Sequence, residues 1–168
     1  METEDTTTAL VEAIEELRNH ERIRQLLAAY CRCLDEYDIA GVAACFSDNA
    51  VADYGPGRGG AIHGRDNIAA RIASGQKVFR RTHHQTGQIL IDLRGSKADT
   101  TSYQITWHEL QDGTQDLVCL RYIDKLEMTD GTWLISHRRV EASLVNGFEG
   151  TQWNWVQRLQ PSTANQIK

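Results

Sequence analysis

No stretch of this sequence approaches the ~20 consecutive apolar residues that a helix needs to span a bilayer, and the polar opening METEDTTTAL lacks the apolar segment of a signal peptide. Both absences point to a soluble, cytoplasmic protein with no membrane partner. A surplus of positive charge is missing as well: 18 Lys and Arg stand against 23 Asp and Glu, for a net charge of -5 and a pI near 5.6. Phosphate binding wants concentrated Lys and Arg, and here they are scattered, so nucleic acid is not an expected partner. There is no internal repeat and no low-complexity segment.

Metal-binding patterns are also wanting. Cys31 and Cys33 form a C-x-C pair, but Cys45 and Cys119 stand alone, and no second ligand pair completes a zinc pattern. Buried reduced thiols are the simpler reading. Neither H-x-H nor H-E-x-x-H occurs, so no metal and no cofactor is expected. The run GPGRGG lacks the GK[ST] ending of a phosphate loop and reads as a mobile loop, a lid over a pocket.

What is present is the composition of one globular domain: 168 residues, 40% hydrophobic and 24% charged. The expected domain spans 1–168, with disordered ends at about 1–8 and 161–168. From Leu10 to Leu34 apolar residues recur at three- and four-residue steps, which predicts a long amphipathic helix bent near Asn19. Asp38 caps a short second helix, SDNA closes it as a turn, and AVADY is a short strand. Asp66 caps a third helix over roughly 67–74. Beyond Gly75 the pattern changes to alternation in QILIDLRG, TTSYQITWHEL, DLVCLRYIDKLEM and TWLISHRRVEASLV, with Asp-Gly pairs at 112–113 and 130–131 marking antiparallel hairpins. Helices first and a long sheet afterwards predict an α+β fold, a curved, mostly antiparallel sheet with three N-terminal helices enclosing a pocket.

Several residues could carry chemistry in such a pocket. Asp35 ends the first helix, where the macrodipole opposes a carboxylate, so it needs a partner, and a histidine could serve. His83 and His84 lie just before the first long strand and must point to opposite faces, so only one of them can face the pocket. A histidine oriented by a carboxylate can abstract a proton near neutral pH. Further along, Gln104, Thr106 and His108 share one strand face, as do Val118, Leu120 and Tyr122, and Ser136, Arg138 and Val140; the last set is opposed by Trp133, Ile135, His137 and Arg139. His108, Tyr122 and Arg138 are thus polar handles among apolar neighbours, unless they are merely satisfied sheet residues.

With those residues in view, roughly Ile14 to Phe148 resembles the SnoaL-like branch of the nuclear-transport-factor-two-like superfamily, a cone-shaped α+β barrel. Branch members with a helix-end Asp and a His ahead of the long strands include scytalone dehydratase, hexachlorocyclohexane dehydrochlorinase and the bile-acid dehydratase. YCRCLDEYDIAGVAACFSDNAVADY is most similar to the last of these. The resemblance implies Tyr30, Asp35 and His83 as catalytic residues, with His83 the base. It places Tyr54, His108, Tyr122 and Arg138 among substrate-binding positions; His84, read as the outward neighbour of His83, is counted with them. The bile-acid enzyme's last-strand arginine aligns with Ala142, while Arg138 matches an arginine of the dehydrochlorinase. The function so implied is a cofactor-independent lyase of dehydratase type, acting on a hydrophobic cyclic or polycyclic small molecule through a His-Asp dyad. An isomerase or cyclase using the same base, and a noncatalytic ligand-binding or accessory subunit, are the alternatives the superfamily offers. The apolar outer face carrying Trp107 predicts a homo-oligomer, for which the resemblance implies a trimer.

Overall fold

A computed structural model of the chain describes residues 2–158, with side chains from residue 6 onward. The first helix, α1, runs unbroken from Glu2 to Asp35, so the described part of the segment 1–8, expected to be disordered, is helical. The tail at 161–168 lies outside the described residues. In the first half of α1 the side chains of Leu10, Val11, Ile14 and Leu17 are exposed. Asn19 ties the helix to the sheet, its side-chain oxygen accepting from Trp133 Nε1 at 3.2 Å. Ile23 and Leu27 are then buried against Ala98, Leu126 and Trp133.

Helix α2 (Ile39–Ala44) begins as expected at Asp38, whose carboxylate accepts the Gly41 N–H at 2.9 Å. Strand β1 (Phe46–Asp53) takes in the SDNA segment where a turn was expected. Its register against β6 shifts between Phe46 and Val51, and that irregularity accommodates the polar run. The glycine-rich segment is more ordered than a mobile loop, comprising a 3-10 turn at Pro56–Arg58 and a short edge strand β2 (Ala61–His63) paired to β1. Helix α3 (Arg65–Gln76) starts after Gly64 at φ 86°, with Asp66 in its first turn rather than at its cap.

Four long strands follow: β3 (Phe79–Arg94), β4 (Lys97–Leu110), β5 (Gln115–Thr129) and β6 (Thr132–Asn146). The sheet order is β2-β1-β6-β5-β4-β3, with β1 parallel to β6 and the other pairs antiparallel. The fold is therefore α+β, three helices against a curved mixed sheet that stays open at its edges instead of closing as a barrel. Asp130 and Gly131 both have positive φ and join β5 to β6 in a two-residue turn, the geometry that matches the twist of a hairpin.

Two bulges in β6 decide which side chains face inward. Lys125 pairs with His137 but Leu126 with Ile135, leaving Ser136 extra; Cys119 pairs with Leu144 but Leu120 with Ala142, leaving Ser143 extra. Each extra serine donates its hydroxyl across to β5, Ser136 to Lys125 O at 3.1 Å and Ser143 to Cys119 O at 3.2 Å. The first bulge corrects the expected alternation: Trp133 and Ile135 share the buried face with Arg138 and Val140 instead of opposing them. On that face Tyr30, Phe46, Ile68, Ile72, Leu120 and Tyr122 close the main core between helices and sheet. The chain after β6 returns along the second bulge, where Ala142 N donates to Asn154 O and Val156 N to Ala142 O. Gly57 N donates to Gln152 O at 2.9 Å, which ties the 3-10 turn to this returning segment.

Candidate active site

Asp35 ends α1 directly beneath β3. Because β3 begins at Phe79 and not at Gln88, both histidines lie inside it, His83 opposite Trp107 and His84 opposite Thr106. Alternation then sends Thr82, His84 and Thr86 to the inner side. The Asp35 carboxylate accepts from Thr82 Oγ1 at 2.8 Å and from the His84 backbone N–H at 2.9 Å, and its Oδ1 lies 2.6 Å from His84 Nδ1. Partial burial opposes ionisation of Asp35, but these hydrogen bonds and the His84 ring outweigh it and hold the carboxyl below its ordinary range. The macrodipole penalty at this helix end is met by those donors.

The inward histidine is therefore His84, not His83. The His84 side chain is 4% exposed and lines the cavity; that of His83 is 69% exposed, with Nδ1 3.9 Å from Asp35. With Nδ1 of His84 committed to Asp35, Nε2 is the nitrogen left for a ligand.

The cavity measures about 250 Å³ and lies between the end of α1, α3, the 3-10 turn, the concave face of the sheet and the segment after β6. The tyrosine side of its wall is Tyr30, Tyr54 and Tyr122. Tyr30 OH and Tyr54 OH are 3.2 Å apart, and Tyr30 meets Tyr122 edge-on with ring centroids 5.8 Å apart. Burial raises all three phenols above their ordinary range, so each remains a neutral donor.

Arg138 is not a handle on the cavity surface. It is wholly buried behind the tyrosines, with its guanidinium 4.1 Å from both the Tyr30 and Tyr122 ring centroids. Asp124 clasps it twice, Nε to Oδ1 at 2.8 Å and Nη2 to Oδ2 at 2.7 Å. It supports the tyrosines rather than touching a ligand.

His108 does line the cavity. Its ring stacks on Phe79 at 4.5 Å and meets His84 at 5.6 Å and Phe148 at 5.5 Å edge-on. Burial, with the nearby His84 and Arg58, pushes it down to about 3, so it stays neutral. Among the described residues no three His, Cys, Asp or Glu side chains gather as a group that could hold a metal.

Sequence reasoning missed Thr82, Arg58, Arg71, Phe79, Phe148 and Trp153. The parity it shares with His84 was the available signal for Thr82, once the strand was extended back to Phe79. The other five carry no local signature, since only chain tracing brings them to one wall.

A family model described as a SnoaL-like domain matches residues 15–139. No curated protein matches the chain. Among solved structures, a scytalone dehydratase-like protein from Novosphingobium aromaticivorans superposes with a TM-score of 0.80 at 21% identity, covering 86% of this chain and 97% of that one. Hexachlorocyclohexane dehydrochlorinase LinA-type3 from Novosphingobium barchaimii gives 0.71 at 15% identity, covering 87% and 99%. A protein of unknown function from Mycobacterium tuberculosis gives 0.70 at 26% identity, covering 78% and 75%.

Proposed function

Since the chain belongs to the SnoaL-like family, we propose that it is a cofactor-independent lyase of dehydratase type, acting on a hydrophobic cyclic small molecule. The observation that supports this most is the 2.6 Å contact between Asp35 and His84 Nδ1, at the wall of a cavity with tyrosine hydroxyls on another side. A pocket that only held a ligand would have no use for a carboxylate locking one tautomer of a histidine.

In this reading His84 Nε2 takes a proton from the carbon next to a ring carbonyl. The C–H electron pair forms the new double bond as the neighbouring C–O bond breaks, and the proton returned from the imidazolium leaves with the hydroxide as water. Asp35 stabilises the imidazolium, and Thr82 and the His84 backbone N–H keep its carboxylate in place. Tyr30, hydrogen-bonded to Tyr54, donates to the carbonyl oxygen as charge builds there.

The test is turnover and solvent-deuterium exchange on a panel of hydroxylated cyclic ketones. His84→Ala and Asp35→Asn are expected to lose roughly 10²–10⁴-fold in rate, and His83→Ala to stay near the parent. Parental turnover by His84→Ala would overturn the dyad, and exchange without loss of water would make the enzyme an isomerase or cyclase.

The outer sheet face supports self-association in this reading. Ile105, Cys119 and Leu144 lie in one row across β4, β5 and β6, and Tyr103, Ile105 and Leu144 are each at least 42% exposed. Sedimentation is expected to give an oligomer, a trimer by family resemblance; a monomer at micromolar concentration would refute this part.

A further inference from the structure

Arg58 and Arg71 are an anomaly among the arginines of this fold. Of the other described arginines that are not fully exposed, Arg65 pairs with Asp48 at 2.8 Å, Arg121 with Glu141 at 2.6 Å and Arg138 with Asp124 at 2.7 Å. Arg58 and Arg71 are half-buried, line the cavity, and have no carboxylate oxygen within 4.0 Å among the described residues. They are also neighbours: Arg71 Nε donates to Arg58 O at 3.1 Å, and each guanidinium adds to the positive potential of the other. The buried Asp116 carboxylate acts on Arg58 only from beyond 4.0 Å and makes no ion pair with it. A partly desolvated cation without a direct counterion is costly, and two side by side cost more.

The surroundings of Arg58 compensate only one side of it. Its guanidinium carbon lies 4.1 Å from the Trp153 ring centroid and 5.0 Å from that of Phe148, so the flat face is stacked. Stacking occupies the face of a guanidinium and leaves its in-plane N–H fork free, the geometry that meets a planar, two-oxygen acceptor. Phe148 in turn touches His108, which touches His84, so the same rings link the arginines to the proposed base across one wall.

We propose that Arg58 and Arg71 form a carboxylate-binding subsite, and that the ligand of this cavity is a cyclic apolar molecule bearing an acid group. This deepens the reading above and rests on it only for where the reacting carbon sits. The glycine-rich segment then has a definite task, since the 3-10 turn carries Arg58 and the Gly57 N–H bond to Gln152 holds that turn against the segment bearing Trp153.

The experiment is calorimetric titration of the whole protein with 2-naphthoate and with 2-naphthamide, its neutral counterpart of the same shape. The parent is expected to bind the acid roughly ten- to hundredfold more tightly than the amide, the range of a charge-assisted hydrogen bond made in a partly desolvated site, and added salt should shrink the difference. Arg58→Gln and Arg71→Gln should each remove most of that preference and leave the amide's affinity near the parent's, whereas Arg58→Lys should retain an intermediate part of it. His84→Ala should keep the full preference, because the acid group does not engage the base. The subsite is overturned if the parent binds the acid no more tightly than the amide, if it binds no naphthoate into the millimolar range, or if the preference survives both glutamine substitutions. The dyad is judged separately, by turnover in His84→Ala, so either reading can fail without the other.

Discussion

His108 makes the stability of this protein sensitive to mild acid, and the size of the effect follows from its surroundings. Its ring is enclosed by Phe79, Phe148 and His84, and Nδ1 has no hydrogen-bond partner among the described residues. Burial first, then the neighbouring His84 and Arg58, push its titration from 6.5 down to about 3. In the unfolded chain the same imidazole takes up a proton near its ordinary value, so acidification favours unfolding until the folded value is reached. From about pH 6.5 to about pH 4.5 the unfolded state binds a proton that the folded state refuses, and at ~1.36 kcal/mol per pH unit the loss is about 2–3 kcal/mol. For a chain of this length that corresponds to a melting temperature lower by about 5–10 °C. Asp35 is silent in this window, because a carboxyl held below its ordinary range gives up its contribution only below about pH 4. His108→Phe keeps the stacked shape and removes both the proton site and the orphaned nitrogen. Urea denaturation followed by tryptophan fluorescence at a series of pH values is expected to show the variant at least as stable as the parent near neutrality, with a flatter acid limb. If the variant loses stability as steeply as the parent between those two pH values, His108 is not the buried neutral group described here.

Further substitutions probe the supports of the site. Asp124→Asn leaves the Arg138 cation buried without its counterion and is expected to cost about 3–5 kcal/mol in chemical denaturation, whereas Asp124→Leu combined with Arg138→Met should recover most of that; a double variant as unstable as the sum of its singles would refute the pairing. At Gly57 an added Cβ would lie 2.5 Å from Gln152 N, so Gly57→Ala should force the 3-10 turn off the returning segment, cost about 1–3 kcal/mol and speed proteolysis after β6, and an unchanged melt and cleavage pattern would show that contact to be unimportant.

Much of the fold is legible from periodicity. The long helix ending at Asp35, the Asp38 cap, the Asp130-Gly131 turn and the four alternating strands each carry a local signal strong enough to survive tertiary packing. What periodicity cannot supply is an extra residue. Ser136 and Ser143 have no pattern that marks them as bulges, yet each reverses the facing of everything beyond it. Strict alternation turns Trp133 and Ile135 away from Arg138, but they are buried beside it, because Ser136 consumes one step of the strand while bonding back to Lys125.

The two histidines fail by the same mechanism at a different place. Adjacent strand residues must face apart, so the pair was certain to be unequal, but parity has to be counted from somewhere. Counted from Thr82, whose polar, β-branched side chain belongs to the strand and reaches Asp35, His84 falls inside. The strand was expected to start at Gln88 because RRTHHQTG is polar, and a polar run reads as a loop when its donors have no visible acceptor. The acceptor is Asp35, 47 and 49 residues earlier in the chain from Thr82 and His84, and it explains why this stretch can be both polar and paired. The same reasoning accounts for Arg58: a cation flanked by glycines looks solvated in sequence, and only the return of Trp153 over its face shows that it has been drawn into the wall of the cavity.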